Sequence, residues 1–152
     1  MRQEVGYYRS PIGPLRIVVM GVNLIGIDFV EKIKESDSSA MLDDVLRQLN
    51  EYFLGVRKVF DVNLDLVGTN FQKQAWQRLI NIPYGETLSY QEQARSIGYP
   101  KAYRAIGNAN GKNPITIIVP CHRVLTSTQE IGGYSSGIHR KKWLLEHEQR
   151  FK

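Results

Sequence analysis

The sequence predicts a mixed α/β protein of the α+β kind, with a small antiparallel sheet and one helix in its first half and helices in its second. Two patterns and one sum lead there. Early in the chain, apolar and polar residues alternate at the two-residue period of strands. From Leu42 the apolar positions recur at three and four residues, the period of a helix face. The chain has 152 residues, 42% hydrophobic and 23% charged, which suits one compact unit or two small lobes. That composition excludes a disordered chain. Apolar runs no longer than Ile115-Thr116-Ile117-Ile118-Val119 exclude a membrane helix, which needs about 20 residues. Met1 to Val5 lacks the charged-then-apolar pattern of a signal peptide. One cysteine allows neither an internal disulfide nor a cysteine-cluster metal site. A cytoplasmic protein without metal or cofactor is expected.

The elements follow in order. Val5 and Tyr7 fit a strand. Leu15 to Met20 and Leu24 to Phe29 fit two more, joined as a hairpin through Gly21-Val22-Asn23. Ser36-Asp37-Ser38-Ser39 is a helix-start cluster. It leads to Leu42, Val45, Leu46, Leu49, Tyr52 and Phe53 on one face, and Gly55 closes the helix. Phe60, Val62, Leu64 and Leu66 alternate with Asp61, Asn63 and Asp65, an extended segment with one buried face. The lobe boundary is expected near Val67-Gly68, giving an N-terminal α/β lobe at 1–67 and a second domain at 68–152.

In the second half, Thr69-Asn70-Phe71-Gln72 reads as a capping box, and Phe71, Ala75, Trp76, Leu79 and Ile80 share a helix face. Pro83-Tyr84-Gly85 breaks that helix. A second box, Ser89-Tyr90-Gln91-Glu92, opens a short helix running to Ile97 and ending at Gly98. Pro100 opens a third, Lys101 to Ala109, closed by Asn110-Gly111. Two short helices joined at a glycine are the pattern of a helix-turn-helix, although ordinary αα-hairpins share it. Twenty basic residues against fifteen acidic ones give +5, which permits a polyanionic partner without requiring one. Ile115 to Val119 reads as a buried strand stopped by Pro120.

Next comes Cys121-His122-Arg123-Val124. Most free cysteines are small buried hydrophobes. A nucleophilic cysteine needs a base and a positive environment, because the thiolate is the reactive form. His122 could be the base, across a turn or through a water, and Arg123 could supply charge. In the last helix Lys141, Leu144, Leu145 and Glu148 share a face, so the leucines draw Glu148 inward. A buried carboxylate needs a partner. His122 is one candidate, which would give a Cys–His–Glu relay. The alternative is a glutamate reaching solvent at a frayed helix end.

Taken together, several segments resemble the O6-alkylguanine-DNA alkyltransferases: Ile82-Pro83-Tyr84-Gly85-Glu86-Thr87-Leu88-Ser89-Tyr90, Arg104-Ala105-Ile106-Gly107-Asn108-Ala109, Asn113-Pro114, Ile118-Val119-Pro120-Cys121-His122-Arg123-Val124 and Gly132-Gly133-Tyr134-Ser135. Their order and spacing match across Thr69 to Glu148, about half the chain. The first half resembles the family's N-terminal lobe, a ribonuclease H-like unit, only in length and strand-helix pattern.

The resemblance implies a DNA repair protein that moves an alkyl group from O6 of guanine, and from O4 of thymine, onto its own cysteine, once and irreversibly. Cys121 matches the acceptor, His122 the base acting through a water, and Glu148 the residue that orients it. Asn113 matches the residue ordering the cysteine loop. Tyr90 matches the tyrosine that donates to guanine N3 as O6 departs. Tyr134 matches a pocket wall, and Ser135 a backbone N–H facing O6. The carbonyls of Cys121 and Val124 match those contacting the exocyclic amine. Lys141 matches a lysine supporting the pocket loop.

Arg104 matches the arginine finger that fills the stack when the base is flipped. It lies on a helix that in this family enters the minor groove of double-stranded DNA. Ala102 and Ala105 are small enough for close groove approach without base readout. Tyr103 and Ser89 fall on the same DNA-facing surface. The implied partner is double-stranded DNA, bound largely without sequence preference by a monomer that can cluster on DNA, with no membrane involved.

Three residues depart from the family pattern. Ser136 stands at the lip of the alkyl pocket where glycine is common. Tyr103 stands where small residues are frequent, and Gln129 replaces a turn glycine. Zinc-binding cysteines of some relatives are absent. Three rivals remain: an alkyltransferase-like lesion sensor without transfer activity, against which Cys121 itself argues because such proteins replace the cysteine; a cysteine hydrolase built on Cys121, His122 and Glu148, which would turn over repeatedly; and a plain soluble domain with a buried cysteine, in which Cys121→Ser would change nothing.

Overall fold

The alternation early in the chain is realised as three strands, β1 (Gln3–Ser10), β2 (Gly13–Met20) and β3 (Asn23–Phe29), in one antiparallel sheet of order β1-β2-β3. The structure is a computed structural model describing residues 2–152, with Met1 outside the described residues. It divides into two units, one ending at Leu66 and the other running from Val67 to Lys152.

In the first unit β2 carries the core, with Leu15, Ile17, Val18 and Val19 all buried, and a register shift falls at Val18/Val19. The next element, α1 (Ala40–Phe53), starts where Ser39 Oγ accepts the backbone N–H of Leu42 at 3.1 Å. Its face of Leu42, Val45, Leu49, Tyr52 and Phe53 is buried, and the helix packs on β1 and β2. A Cβ at Gly6 would lie 3.0 Å from Leu42 Cδ2, so this glycine gives the helix its approach. Residues Phe60 to Leu66 alternate half-buried and exposed as expected, but ladder with the sheet only at Leu64–Leu24. Gln48 fastens that segment, exchanging two 2.9 Å hydrogen bonds with the backbone of Asp61.

The second unit is helical: α2 (Asn70–Ile80), α3 (Tyr90–Ser96), α4 (Tyr103–Gly111) and α5 (Ile138–Phe151). Both expected capping boxes are complete, Thr69 with Gln72 and Ser89 with Glu92. Two-residue strands β4 (Leu88–Ser89) and β5 (Val124–Leu125) pair in parallel. The α3–α4 pair meets α2 on a core in which three alanines, Ala75, Ala94 and Ala109, surround Ile106. Small side chains bring backbones close enough for polar bonds between elements. Trp76 Nε1–H donates to Ala109 O at 2.8 Å. The buried amides of Gln93 and Asn110 exchange bonds of 2.9 and 2.8 Å.

Two expectations are corrected here. The helix expected at Lys101 to Ala109 is α4, Tyr103–Gly111. The turn before it closes with Ala102 N–H donating to Tyr99 O at 2.9 Å, and the first helical bond is Ile106 to Ala102. Ala102 is therefore the cap, with no side-chain bond of its own. The strand expected at Ile115 to Val119 is a buried turn. Asn113 Oδ1 accepts Ile115 N–H at 2.9 Å and Asn113 Nδ2–H donates to Val119 O at 2.7 Å, taking the groups a strand partner would need. Ile117 sits in that turn at φ 74°, the left-handed region a β-branched side chain strongly disfavours.

Candidate active site

The Asn113 turn delivers the chain to Pro120 and a single 3₁₀ turn, Cys121–Arg123. Cys121 parts there from His122 and Arg123: it lines a cavity, whereas they turn inward. Cys121 lies in the wall of a cavity of about 650 Å³, within the range of small-molecule sites. His122 is fully buried. Arg123 is buried at 6% exposure.

Both His122 and Arg123 meet Glu148 of α5. His122 Nε2 lies 2.6 Å from Glu148 Oε2. Arg123 donates from Nε to Oε1 at 2.8 Å and from Nη2 to Oε2 at 3.0 Å, and Gly85 N–H adds a bond at 3.3 Å. Burial alone would raise the Glu148 carboxyl. The charges and hydrogen bonds of His122 and Arg123 outweigh it and hold the carboxyl well below the usual range. An ionised carboxylate only accepts, so His122 Nε2 carries the proton of that bond. The other ring nitrogen, Nδ1, is buried without a hydrogen-bond partner. Burial pushes the imidazole below its ordinary value, Glu148 pulls it back, and Arg123 and Lys141 lower it further. His122 is thus a neutral base with a free lone pair.

The Cys121 thiol is raised by burial and drawn down by Asn113, Lys141 and Tyr134. It therefore rests protonated and has to lose its proton to react. Across the cavity, Tyr90, the first residue of α3, lies with its hydroxyl 3.4 Å from Gly133 O. Lys141 Nζ donates to Tyr90 Oη at 3.3 Å and to Gly133 O at 3.1 Å. This lysine is fully buried, and desolvation brings it down to about 8. Tyr134 shares a 2.8 Å hydrogen bond with Thr116 Oγ1, and its own hydroxyl is pushed well up by burial.

The cavity wall includes Tyr90, Tyr103, Arg104, Cys121, Tyr134 and Ser135, six of the residues singled out in the sequence. Arg104 and Tyr103 are exposed on the first turn of α4, the guanidinium 6.0 Å from the ring centre. Ala105 is exposed beside them. Val124 and Ser136 are not among the lining residues. Val124 is buried in β5, its N–H on Cys121 O, and Ser136 O accepts from Arg140 Nη1 at 3.0 Å. Gln129 takes φ 65°, the left-handed region that favours glycine. Ser89 stays outside this cavity, its oxygen accepting Glu92 N–H.

Sequence reasoning missed the destination of Arg123, aiming its charge at Cys121, whereas it binds Glu148 and Ile82 O. It also missed Gln93 and Asn110. A polar side chain on the apolar face of each helix was the signal available for both. Among the described residues, no cluster of His, Cys, Asp and Glu is placed to hold a metal ion, and no helix is long and apolar enough to cross a membrane.

Two family models match the chain, the ribonuclease-like domain of 6-O-methylguanine DNA methyltransferase over residues 5–66 and its DNA-binding domain over 70–150. A methylated-DNA–protein-cysteine methyltransferase of Mycobacterium tuberculosis is 48% identical over 92% of this chain and 88% of its own. That of Methanosarcina mazei is 52% identical over 93% and 94%. A crystal structure of Mycobacterium tuberculosis O6-methylguanine methyltransferase superposes with TM-score 0.90 at 44% identity, covering 99% of this chain and 95% of that one. A structure of the same organism's protein in complex with DNA gives 0.90 at 45%, covering 97% and 93%.

Proposed function

The chain belongs to the 6-O-methylguanine DNA methyltransferase family, and on that premise we propose that Cys121 is its alkyl acceptor, methylated once per chain by O6-alkylguanine in DNA. The protein is a DNA-binding repair methyltransferase. The observation that carries the assignment of Cys121 is the neutral His122 beside it, its Nε2–H held by Glu148 and its Nδ1 left free.

The steps follow from these groups. His122 Nδ1 takes the thiol proton through a water, and the imidazolium that forms is stabilised by Glu148. The sulfur attacks the alkyl carbon, the S–C bond forms, the C–O6 bond breaks, and its electron pair passes into the guanine ring. Tyr90 gives its phenolic proton to guanine N3. Lys141, charged below about pH 8, donates to the Tyr90 oxygen and steadies the phenolate. Arg123 acts as a positioning residue: its two bonds hold Glu148 ionised while His122 is still neutral. A thioether has no easy hydrolytic exit, so the reaction stops at one turnover. Asn113 shapes the loop that presents Cys121.

A stacked base cannot reach Cys121, so the nucleotide is flipped at a cost of a few kcal/mol. Arg104 fills the gap, entering with α4 from the minor groove. Tyr103 beside it and the small Ala102 and Ala105 allow close approach without base readout. Tyr134 and Ser135 wall the flipped base, the backbone carbonyl of Val124 meets its exocyclic amine, and O4-alkylthymine is a second substrate. The protein acts as a cytoplasmic monomer that can cluster on DNA.

Intact-mass spectrometry after mixing with a duplex holding one O6-methylguanine tests this. A single gain of one methylene mass at Cys121, absent from Cys121→Ala, is expected. Binding without gain would instead mark a lesion sensor, and gain followed by repeated release a hydrolase.

A further inference from the structure

Thr116 takes no part in the steps above. It is a polar side chain buried at 6% exposure in the turn that leads to Cys121. Its hydroxyl makes one hydrogen bond among the described residues, 2.8 Å long and shared with Tyr134 Oη. Tyr134 lines the cavity together with Cys121, whereas Thr116 is not among the lining residues. A hydrogen bond between the Tyr134 and Cys121 side chains helps draw the thiol down. The phenol thus stands between the Thr116 hydroxyl and the sulfur.

The backbone holds Thr116 there at a cost. Ile118 N–H donates to Thr116 O at 2.9 Å across Ile117 at φ 74°. This is a γ-turn of the rare, strained kind. Strain of that sort persists only where the surroundings over-determine it, and it clusters at functional sites. Val119 N–H on Ile115 O at 3.0 Å and Cys121 N–H on Val119 O at 2.9 Å close the same loop onto the cysteine. One loop therefore presents both the thiol and the hydroxyl.

While Cys121 is a thiol, the bond between Thr116 and Tyr134 can run in either direction. A thiolate only accepts. The phenol hydrogen then turns to the sulfur, and the hydrogen of the other bond has to come from Thr116. Burial keeps the phenol protonated throughout. Donation into its oxygen makes it a stronger donor.

We infer that Thr116 is a positioning residue for the alkyl transfer: its hydroxyl donates to Tyr134 and so commits the phenol hydrogen to the Cys121 sulfur. No proton changes owner along this row, and the thiol proton still leaves to His122. The inference rests on the reading of Cys121 as the alkyl acceptor.

The test uses Thr116→Val, which keeps the shape without the hydroxyl, and Thr116→Ser, which keeps the hydroxyl. Two rates are followed against pH: methyl transfer from a duplex holding one O6-methylguanine, and methylation of Cys121 by iodomethane, which needs no DNA. Thr116→Val should slow both by about tenfold, the worth of one hydrogen bond, and move the thiol titration up by about one pH unit. Thr116→Ser should restore both. Tyr134→Phe should lose as much, and adding Thr116→Val to it should cost nothing further, because the hydroxyl acts through the phenol. Asn113, Lys141 and Tyr90, which also act on the sulfur, and Arg140, which acts on the phenol, are common to all these proteins. An unchanged titration in Thr116→Val, no rescue by Thr116→Ser, or losses that add in the double variant would overturn the inference. Were Thr116→Val not to fold, an unchanged titration in Tyr134→Phe would overturn it equally. Failure of the acceptor reading looks different: the wild type would take no methyl group from the duplex, while iodomethane would still report the thiol titration.

Discussion

Among the described residues up to Leu66, the buried polar side chains are Ser10 and Gln48. Beyond Leu66 they are Gln93, Asn110, Thr116, His122, Arg123, Lys141, His147 and Glu148. In the first unit both fasten backbone: Ser10 donates to Gly13 O at 2.6 Å, and Gln48 bridges to Asp61. Everything else in its core is apolar. In the second unit four ionisable groups, His122, Arg123, Lys141 and Glu148, are buried. Burying charge is costly, and such groups persist only where partners compensate them. The first unit therefore has an almost wholly apolar core, while the second spends stability on burying charge.

The sharpest test of that contrast is Glu148→Ala. It strands the Arg123 guanidinium and frees the His122 ring, so about 3–5 kcal/mol of stability should be lost together with methyl transfer. Denaturant unfolding and intact mass read the two effects. The pH dependence follows from the lowered carboxyl. The Glu148 contribution is present above the ordinary carboxylate value and is lost as pH falls through the folded value, so Glu148→Gln should remove that part of acid unfolding.

In the first unit Leu49→Ala should cost about 2–5 kcal/mol while leaving the transfer rate of folded protein unchanged. A slower rate constant for the folded variant would break the comparison.

Lys141→Met should lower the transfer rate by about 10²-fold, the usual range for lost acid assistance. In the wild type the Lys141-dependent part of the rate should fall as pH rises through about 8, where the ammonium is lost. Between about 8 and the ordinary 10.5 the unfolded chain holds a proton the folded one lacks. Wild-type stability should therefore rise across that window, and the rise should vanish in Lys141→Met. Asn110→Ala should cost about 1–3 kcal/mol by orphaning the Gln93 amide. Ser89→Ala, which removes only a cap on α3, should cost about 1 kcal/mol.

Legibility in the sequence follows the range of the interaction. The capping boxes at Thr69 and Ser89 close within three residues and were readable as written. Pro100 suits the start of a helix, but a turn from Tyr99 to Ala102 intervenes and moves α4 two residues on. The β-branched run at Ile115 to Val119 looked like a strand because its composition is that of one. Asn113 captures both ends of it and forces Ile117 into the left-handed region. The inward turn of Glu148 was readable from helical spacing and the cost of burying a carboxylate. Its second partner, Arg123, was not, because adjacency in sequence suggested Cys121 as the beneficiary.

By itself the sequence determined the three strands of the first unit, the capped helices, the apolar faces and the family motif around Cys121, all legible within a turn or two of chain. Only the tertiary structure decided which buried groups meet. Glu148 joins His122 and Arg123 from 26 and 25 residues away, and Arg123 reaches Ile82 O across 41. Periodicity says that a polar group is buried. Which partner compensates it depends on packing between distant elements, and that choice makes His122 a neutral base and keeps Glu148 charged.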